Sequence, residues 1–481
     1  MPPTLRGMRT SSLTKVVASF ALAATSLTSA TLLGSASAQA TTSCDPSLVA
    51  KSSSTINITF EESMPGGAVS GTGNHGVLVD LINQYNASQH KVHVTDSNDA
   101  GGYGATWTKY TADLANGGSG APEVVQFDQY DSQEAVDTQS LIPVSSCIAA
   151  DSAFQKDQKN FVQKALNAYV VSGTQAGMPF SVSTPVMYYN LQAFKKAKIA
   201  KAPTTMDQLI ADEALLQKAG YRYGVAIKKD PWLTMAWLSV NDQAFVNNGN
   251  GHSSRATATT FNNATTQQYW SKVQTIIRNG GLASSLTGSL TQAYANIFAI
   301  ANDQAGITFD TTAALGSISS ALPLFKNVTL GVAPLPTLSG KTTGSMLPAG
   351  NGLFIPKYGT AAQVSAAWDF IKFLTSKTSM ASWASRTGYL PIRTDSQAAW
   401  KTALKKQISW YQVAFDQFSK GLNDNNTQGP VIPDYEQVLA DFGPTLDALT
   451  QSPWASASTE LQRVQNTTTS DIQSYNSSLG Y

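Results

Sequence analysis

Charged residues and histidines are scarce in this chain of 481 residues. Only 13% of its residues are charged, and 32 basic side chains stand against 31 acidic ones. A net charge of +1 provides no basic stripe of the kind that nucleic-acid phosphates require. The four histidines and two cysteines form neither an H-x-x-x-H helix nor a cysteine cluster. The sequence therefore predicts no nucleic-acid partner, no metal site and no cofactor.

Motifs of known catalytic chemistry are also missing. No G-x-S-x-G is present, which leaves no nucleophile elbow. A G-x-G-x-x-G match at Gly71–Gly76 lies in a long loop that starts at Pro65. It lacks the acidic partner about 20 residues further on that a dinucleotide site needs. We expect this segment to be a flexible surface loop.

Paired carboxylates are the remaining route to catalysis that the sequence offers. Candidate residues for a secreted glycosidase are Glu61, Glu62, Asp128, Asp310, Asp434 and Glu436. Their separations cannot be read from a sequence, and such carboxylates more often face solvent or contact a ligand. We therefore predict that the chain is not an enzyme, and we keep a secreted carbohydrate-active hydrolase as the alternative.

The first 40 residues have the three parts of a secretory signal peptide. Three basic residues precede an apolar stretch, Val16–Leu33, and the small residues that follow end in Ala38-Gln39-Ala40. A membrane anchor is the alternative, but the stretch is short and diluted with Ser and Thr for a span of about 20 apolar residues. We predict that residues 1–40 are cleaved and that an exported chain with a formal charge of −2 remains.

Cys44 and Cys147 are the only cysteines in the chain. One pair of cysteines in an oxidising compartment predicts a disulfide, and two unpaired buried thiols are the alternative. Lipid attachment at Cys44 is not predicted, because the preceding Thr41-Thr42-Ser43 does not match a lipobox.

Apolar patterns along the mature chain alternate between strand and helix. Strand-like runs begin near Ile56, Lys91, Glu123, Pro185, Tyr223, Ile307 and Leu353, and helical spacing begins near Val77, Trp107, Leu191, Ala361 and Ile408. This alternation indicates two α/β units with largely parallel sheets. No linker separates the units, so we expect two lobes joined by several chain crossings. In the helical tail, Pro430, Pro433, Pro444 and Pro453 predict breaks.

Several segments resemble the extracellular solute-binding proteins of ABC importers, in the branch that binds sugars and sn-glycerol 3-phosphate. Pro179–Asn190 reads P-F-S-V-S-T-P-V-M-Y-Y-N and is followed by the helix signature Gln192–Ala197. Further matches are Ala121–Gln126, the T-G-Y-L-P-I of Thr387–Ile392, and the K-G-L that begins at Lys420. These motifs occur in the order of the family and span most of the mature chain.

The resemblance implies an α/β, two-lobed periplasmic-binding-protein-like fold with a hinge and an interlobe cleft. We expect lobe 1 to comprise residues 44–184 and 349–378, and lobe 2 to comprise residues 185–348 and 379–481. The protein would act as a monomer in the periplasm or outside the cell, associated with the membrane through an ABC permease. Its ligand would bind at strand ends and helix N-termini, as in other open α/β sheets.

The resemblance also implies which residues contact the ligand. These are Trp107, Asp128, Gln129, Ser183, Trp232, Thr311, Thr312, Gly350, Tyr389 and Asn423. By contrast, we expect Tyr188, Tyr189, Trp270, Trp368 and Trp383 to pack in the core.

Two residues, Asn423 and Lys229, depart from the pattern of the glycerol-phosphate branch. Asn423 stands where that branch carries an Arg after K-G-L, and Lys229 stands where it carries a second Trp. Asn cannot replace the bidentate, permanently charged contact of Arg with phosphate, and Lys offers only a point charge. We therefore predict a neutral oligosaccharide or polyol as the ligand, with a glycerophosphate as the alternative.

Overall fold

A computed structural model of the chain describes residues 44–66, 73–99, 102–284, 295–321, 328–451 and 454–481. The predicted signal peptide lies outside these residues. No helix in the described ranges is both long enough and apolar enough to cross a membrane.

Strand formation follows the alternation of the sequence. In the first strand Ile56, Ile58 and Phe60 are buried and Asn57 is exposed, which is the period of two that a pleated strand imposes. The strands are β1 (Ile56–Glu62), β2 (Val92–Asn98), β3 (Val124–Asp128), β4 (Leu141–Ile142), β5 (Val170–Val171), β6 (Thr174–Gln175), β7 (Met178–Ser183), β8 (Pro185–Asn190), β9 (Tyr223–Lys228), β10 (Leu282–Ser284), β11 (Ala305–Thr311), β12 (Leu330–Ala333) and β13 (Ala349–Pro356).

Helices connect and cover the strands. In the first half of the chain they are α1 (Leu48–Lys51), α2 (Gly73–Ser88), α3 (Tyr103–Ala115), α4 (Ser132–Asp137), α5 (Val144–Ala150), α6 (Ser152–Asp157), α7 (Gln163–Asn167), α8 (Leu191–Ala197), α9 (Met206–Lys218) and α10 (Trp232–Val240). The later ones are α11 (Asn247–Asn250), α12 (Ala264–Arg278), α13 (Ala295–Ala301), α14 (Ala313–Ala321), α15 (Ala361–Leu374), α16 (Lys377–Arg386), α17 (Gln397–Leu404), α18 (Ile408–Ser419), α19 (Tyr435–Thr450) and α20 (Ala457–Ser478).

Helix starts are fixed locally by side-chain caps. Thr205 before α9 and Thr360 before α15 each form a reciprocal capping box with the Gln three residues later. Each box satisfies backbone donors that the first helical turn leaves unpaired.

The first sheet has six strands in the order β2-β1-β3-β13-β4, with β7 on β13. β2, β1 and β3 are parallel, whereas β13 runs antiparallel to β3, β4 and β7. The second sheet has the order β10-β9-β11-β8-β12. In it β10, β9 and β11 are parallel, and β8 runs antiparallel to β11 and β12.

Each sheet forms one lobe with its helices, as predicted for the fold class. The prediction of largely parallel sheets is wrong, because β13 in the first sheet and β8 in the second run antiparallel to every strand they pair with, and both sheets are therefore mixed. The chain passes from the first sheet to the second at Thr184, the single residue between β7 and β8, and it returns at β13. The predicted end of lobe 1 at residue 378 falls at the start of α16. In this helix Trp383 stacks on Phe180 of the first sheet, with ring centroids 4.9 Å apart. The sequence boundaries of the lobes stay a prediction.

Large apolar side chains fill the two cores. Trp368 and Trp383 are fully buried in the core that covers the first sheet, and Trp237 and Trp270 are buried under the second. Burial of such side chains contributes about 1.5–3 kcal/mol each. Tyr188 is also fully buried and Tyr189 partly so, in agreement with the expectation that these aromatic residues pack in the core.

The predicted disulfide is present. Cys44 and Cys147 are bonded, with Cα atoms 4.9 Å apart, and they close a loop with a sequence separation of 103.

Two local predictions are wrong. Gly73–Gly76 form the first turn of α2 and not a surface loop, while residues 67–72 lie outside the described ranges. Pro444 lies inside α19 and does not break it. Proline in a helix interior costs about 3 kcal/mol. The buried face of α19, which includes Phe442, Leu446 and Leu449, offsets that cost.

Candidate functional site

The ends of four strands meet at one place between the two sheets. In the first sheet β3 ends at Asp128, which pairs with Asn351, and β7 ends at Ser183, which pairs with Ala349. Gly350 therefore lies between Asp128 and Ser183 on neighbouring strands. We call this group, with Thr311 and Thr312 at the end of β11, the strand-end site.

Glycine is the only residue type that fits the backbone at position 350. Its φ is +125°, and a Cβ atom here would lie 1.8 Å from the carbonyl oxygen of Ser181. The missing side chain thus allows β13 to approach β7 closely.

Thr184 joins the second sheet to this edge. The backbone N–H of Thr312 donates to the Thr184 carbonyl (3.0 Å), and the N–H of Thr184 donates to Thr312 Oγ1 (3.3 Å). Thr311 pairs with Pro185 at the start of β8. The two threonines consequently lie directly beside Ser183, whose Oγ donates to the Ala349 carbonyl (3.3 Å).

Tyr389 reaches the same edge from the loop after α16. Leu390 N–H donates to the Val182 carbonyl (2.7 Å), and a Cβ on Gly388 would lie 2.1 Å from the Thr312 carbonyl oxygen. The ring of Tyr389 stacks on Trp383 at 5.5 Å, and 3% of the residue is exposed. The structure therefore brings Tyr389 to Ser183 and Thr312 but covers most of its ring.

Asp128 and Gln129 turn the chain at the end of β3. Asp128 Oδ1 accepts from Tyr130 N–H (3.0 Å) and caps the short 3-10 helix Gln129–Asp131. Gln129 Nε2 donates to the Pro348 carbonyl (2.9 Å), while its buried Oε1 accepts no hydrogen bond from any residue that the structure describes. Both residues thus lie at the beginning of β13, next to Gly350.

Trp232 approaches the site from the second sheet. It begins α10 after β9, is partly buried, and its N–H donates to Asp230 Oδ1 (3.2 Å). Burial, followed by the carboxylates of Glu436 and Asp230, raises the pKa of Asp128 to about 7. Asp230 thus contributes to the electrostatic environment of Asp128, and Trp232 follows Asp230 by two residues.

Trp107 and Asn423 are not connected to the strand-end site by any hydrogen bond or ring contact within the described residues. Trp107 packs edge-on against Phe127, with centroids 5.2 Å apart. Asn423 is exposed, and its Oδ1 accepts from Gln428 Nε2 (3.1 Å).

Lysines near the site have acidic or polar partners. Lys229, which stands where a Trp was expected from the resemblance, forms an ion pair with Asp447, and Lys228 lies 3.5 Å from Asp230. A third lysine, Lys164 of α7, was not among the candidates identified from the sequence. It is 2% exposed and donates to Ser345 Oγ, which in turn donates to the carbonyl of Leu422 (2.6 Å). Burial lowers the pKa of Lys164 to about 8.

A three-residue group of possible metal ligands lies elsewhere, although the sequence predicted no metal site. One ligand atom each from Glu62, His75 and Asp96 lies within 4.8 Å of the others. The two ring nitrogens of His75 face different carboxylates, with Nδ1 at 2.8 Å from Glu62 and Nε2 at 3.8 Å from Asp96. This arrangement is that of an imidazole held between two acids.

Acidic and tyrosine residues beside the site also escaped the sequence analysis as ligand-contacting candidates. Tyr130 and Tyr435 pack with ring centroids 5.0 Å apart, and Glu134 Oε1 accepts from Tyr435 N–H (2.6 Å). Asp131, which follows Tyr130 in the sequence, is also buried. The D-Q-Y-D-S-Q-E run that begins at Asp128, directly after β3, is the signal that could have identified them.

Two sheets linked through strand crossings, with polar strand ends facing each other, define a two-lobed binding protein. The chain belongs to the family of bacterial extracellular solute-binding proteins, whose sequence model matches residues 80–409.

Curated relatives come from the glycerol-phosphate branch. The sn-glycerol-3-phosphate-binding periplasmic protein UgpB of Pectobacterium atrosepticum is 26% identical over 281 residues, which cover 57% of this chain and 61% of that protein. The same protein of Yersinia pestis is 26% identical over 298 residues, or 61% of this chain and 65% of the relative. The chain thus matches less than two thirds of the length of these curated relatives.

Solved structures show the same fold at lower identity. The GacH receptor of Streptomyces glaucescens, solved unliganded and with acarbose, has a TM-score of 0.69 at 16% identity and covers 88% of this chain and 99% of its own. UgpB of Mycobacterium tuberculosis in complex with glycerophosphocholine has a TM-score of 0.67 at 18% identity, with coverage of 88% and 99%.

Proposed function

We propose that this chain is the extracytoplasmic solute-binding component of an ABC importer and that it delivers a carbohydrate or polyol to a membrane permease. The arrangement of the strand-end site carries the proposal. Gly350 of β13, the hydroxyl of Ser183 and those of Thr311 and Thr312 lie together there from both sheets, and Trp232 begins the helix that follows β9 of the second sheet. Sugar hydroxyls bind such polar groups, and their C–H faces stack on aromatic rings.

The charge balance favours a ligand without phosphate. Phosphate recognition depends on cations, and Arg provides it best. Lys228 and Lys229 each face an acidic partner, and Asn423 occupies the position where the resemblance implies an Arg. We therefore expect an uncharged sugar or polyol at this site in preference to a glycerophosphate.

Ligand capture would proceed by closure of the two lobes about the crossing at Thr184. Polar groups on the two sheets lie on opposite sides of this crossing, so a solute that contacts both sheets stabilises the closed form. The closed, monomeric protein would then dock on the permease.

Calorimetry on the chain without residues 1–40, with mono- and oligosaccharides, polyols, sn-glycerol 3-phosphate and glycerophosphocholine, tests the proposal. We expect a sugar or polyol to bind and to be recovered intact by mass spectrometry. Trp232→Ala should weaken that binding about two- to tenfold, because a stacked ring contributes about 0.5–1.5 kcal/mol beyond its area. The exposed Trp454 provides the matched control, and Trp454→Ala should bind as the unaltered protein does.

Three results would contradict the proposal. Tight binding of glycerophosphates with no response to sugars would overturn the ligand class. Consumption of the sugar would support a hydrolase instead. Absence of binding across the whole panel would overturn the assignment as a solute-binding component.

A further inference from the structure

We propose that the ion pair between Arg255 and Asp137 is a latch that holds the two lobes in a closed arrangement. The inference rests on the proposed function, because closure of the lobes is the step at which a solute is captured. Arg255 is then a positioning residue, which acts on solute binding through the position of the lobes. We call the pair the interlobe latch.

Asp137 belongs to the lobe of the first sheet. It is the last residue of α4, and Ala135 of the same helix is buried in a core with side chains of β3 and β13. Shortly after α4, the Ser140 carbonyl accepts from the N–H of Lys357 (2.8 Å), and the hydroxyls of Ser140 and Tyr110 lie 2.6 Å apart. These contacts fix α4 to the first sheet.

Arg255 belongs to the lobe of the second sheet. The next residue, Ala256, is buried in the core under that sheet, and its carbonyl accepts from Asn476 Nδ2 (2.9 Å). Arg255 Nε donates to Asn476 Oδ1, and the ring centroid of Tyr481 lies 4.2 Å from the guanidinium carbon. Ile472 of α20 is buried in the same core, so the helix that holds Arg255 is part of the second lobe.

The geometry of the interlobe latch is that of a strong ion pair. Two N–H groups of the Arg255 guanidinium donate to the two carboxylate oxygens of Asp137, each at 2.7 Å. The side chains are 14% and 4% exposed. A bidentate pair from which water is largely excluded is screened less and is stronger than an exposed pair.

Each lobe holds its half of the interlobe latch in place. Gln133 of α4 donates from Nε2 to Asp137 Oδ1 (3.0 Å), whereas Asn476 and Tyr481 hold the guanidinium of Arg255. Because both side chains are positioned by their own lobe, closing costs little side-chain entropy. The guanidinium is also covered by the Tyr481 ring of its own lobe, which limits the further desolvation that closing requires.

Further contacts show that the lobes touch each other in this structure. Tyr130 follows β3 of the first sheet and Tyr435 begins α19, and their rings pack with centroids 5.0 Å apart. Tyr435 N–H donates to Glu134 Oε1 (2.6 Å), and Phe442 anchors α19 in the core under the second sheet. Both ends of α4, at Glu134 and Asp137, therefore contact the second lobe. Opening of the lobes about Thr184 would separate the charges of the interlobe latch.

Spin labels on the two lobes test the proposal without any added solute. The native cysteines are bonded to each other, so labels can be attached at His93→Cys of β2 and Lys218→Cys of α9, which are both exposed positions. Double electron–electron resonance then gives the closed and open populations as separate distances. We expect Arg255→Ala/Asp137→Ala to lower the ratio of closed to open protein at least about tenfold, because close charge pairs at interfaces couple by factors of that size.

Two further variants control for the loss of an ion pair and for misfolding. Lys272→Ala/Asp207→Ala removes an exposed pair between α12 and α9, both of the second lobe, and should leave the populations unchanged. Arg255→Lys keeps the charge but not the bidentate geometry, and should shift the populations in the same direction by a smaller factor. Circular dichroism checks that each variant is folded. If the double variant at Arg255 and Asp137 does not fold, the result for Arg255→Lys decides.

The outcomes separate this inference from the proposed function. Unchanged populations in both latch variants would overturn the inference, and so would an equal shift in the Lys272→Ala/Asp207→Ala control. Either result would leave the proposed function standing, because calorimetry tests solute binding independently. A shift confined to the latch variants, together with no binding of any sugar or polyol, would support the contact between the lobes and overturn the proposed function alone.

Discussion

Gly350 shows how one residue type fixes the geometry of the site. Its φ of +125° and the 1.8 Å approach of a Cβ to Ser181 O leave no room for a side chain. We expect Gly350→Ala to lower the free energy of unfolding by about 2 kcal/mol or more, since backbone strain of this kind costs about 1–3 kcal/mol before any clash. Urea unfolding followed by circular dichroism measures the change.

Gly104 is the matched control for that substitution. It lies in the first turn of α3, and a Cβ there would meet nothing within 4 Å. Gly104→Ala should be neutral or stabilise the protein by up to about 1 kcal/mol, because Ala has the higher helix propensity. Equal destabilisation by both substitutions would contradict the structural role given to Gly350.

From the buried carboxylate of Asp131 we predict that the free energy of unfolding falls as pH rises. Burial and the carboxylates of Asp128, Glu436 and Glu134 hold the pKa of Asp131 well above its ordinary value. The folded state therefore binds a proton that the unfolded state, with a pKa of about 3.9, has released. Stability contributed by this group is present at low pH and is lost as pH rises above about 4. We expect Asp131→Asn to be more stable than the unaltered protein at pH 8, with the difference shrinking at pH 5.

Unfolding in urea at pH 5 and pH 8 measures this effect. Asp207→Asn serves as the control, because Asp207 is exposed and its ion pair with Lys272 contributes at most about 1 kcal/mol. An Asp131→Asn variant that is less stable at pH 8 than the unaltered protein would contradict the account of a repelled, buried carboxylate.

At the scale of elements, Arg255 joins three parts of the chain. Its guanidinium donates two hydrogen bonds of 2.7 Å to Asp137 at the end of α4, and the side chain of Asp137 is 4% exposed. The guanidinium carbon of Arg255 lies 4.2 Å from the centroid of the Tyr481 ring, and Arg255 Nε donates to Asn476 Oδ1 of α20. The guanidinium of Arg255 thus joins the segment before α12 to both α4 and α20.

Arg255→Ala should destabilise the protein by about 3 kcal/mol, because it leaves the buried carboxylate of Asp137 without its cationic partner. Thermal and urea unfolding measure the loss. Lys272→Ala removes an exposed ion pair and should cost less than about 1 kcal/mol. The double variant Arg255→Ala/Asp137→Ala should recover part of the stability, and a double variant with the full sum of both losses would contradict the pairing.

The bounds of individual helices show where the local sequence is sufficient to predict an element and where it is not. The helix predicted to begin near Ala361 does begin there, because its capping box and apolar spacing are local features. The helical continuation through Pro444 could not be predicted, because it depends on the buried face that α19 presents to the rest of the lobe. The start of α2 at Gly73 also escaped prediction, since glycines favour turns in the absence of tertiary contacts.

At the scale of the whole molecule, the disulfide ties the beginning of the described chain to α5. With a sequence separation of 103, the chain-entropy model gives a stabilisation of about 4–5 kcal/mol as an upper figure. We expect dithiothreitol to lower the urea midpoint of the unaltered protein. The Cys44→Ser/Cys147→Ser variant should have the lower midpoint already and should not respond to the reductant. A response of that variant, or none in the unaltered protein, would contradict the expected role.

The sequence by itself determined the class of fold and the family of this protein. Alternating burial, caps and the P-F-S-V-S-T-P-V-M-Y-Y-N run are properties of neighbouring residues, and they suffice to predict strands, helices and a two-lobed solute-binding protein. The predicted ligand contacts at Asp128, Gly350 and Thr311–Thr312 lie at strand ends, and a sequence can locate those ends once the strands are recognised.

Only the tertiary structure decided which charged groups meet. Asp230 and Glu436 are more than 100 and 300 residues away from Asp128 in the chain, yet their carboxylates raise its pKa. Lys164 likewise reaches Leu422 through Ser345, 181 residues further along the chain, and Lys229 pairs with Asp447, 218 residues away. Coulomb interactions and buried hydrogen bonds depend on distance in space and on exclusion of water, and neither quantity is encoded in the spacing of residues along the chain.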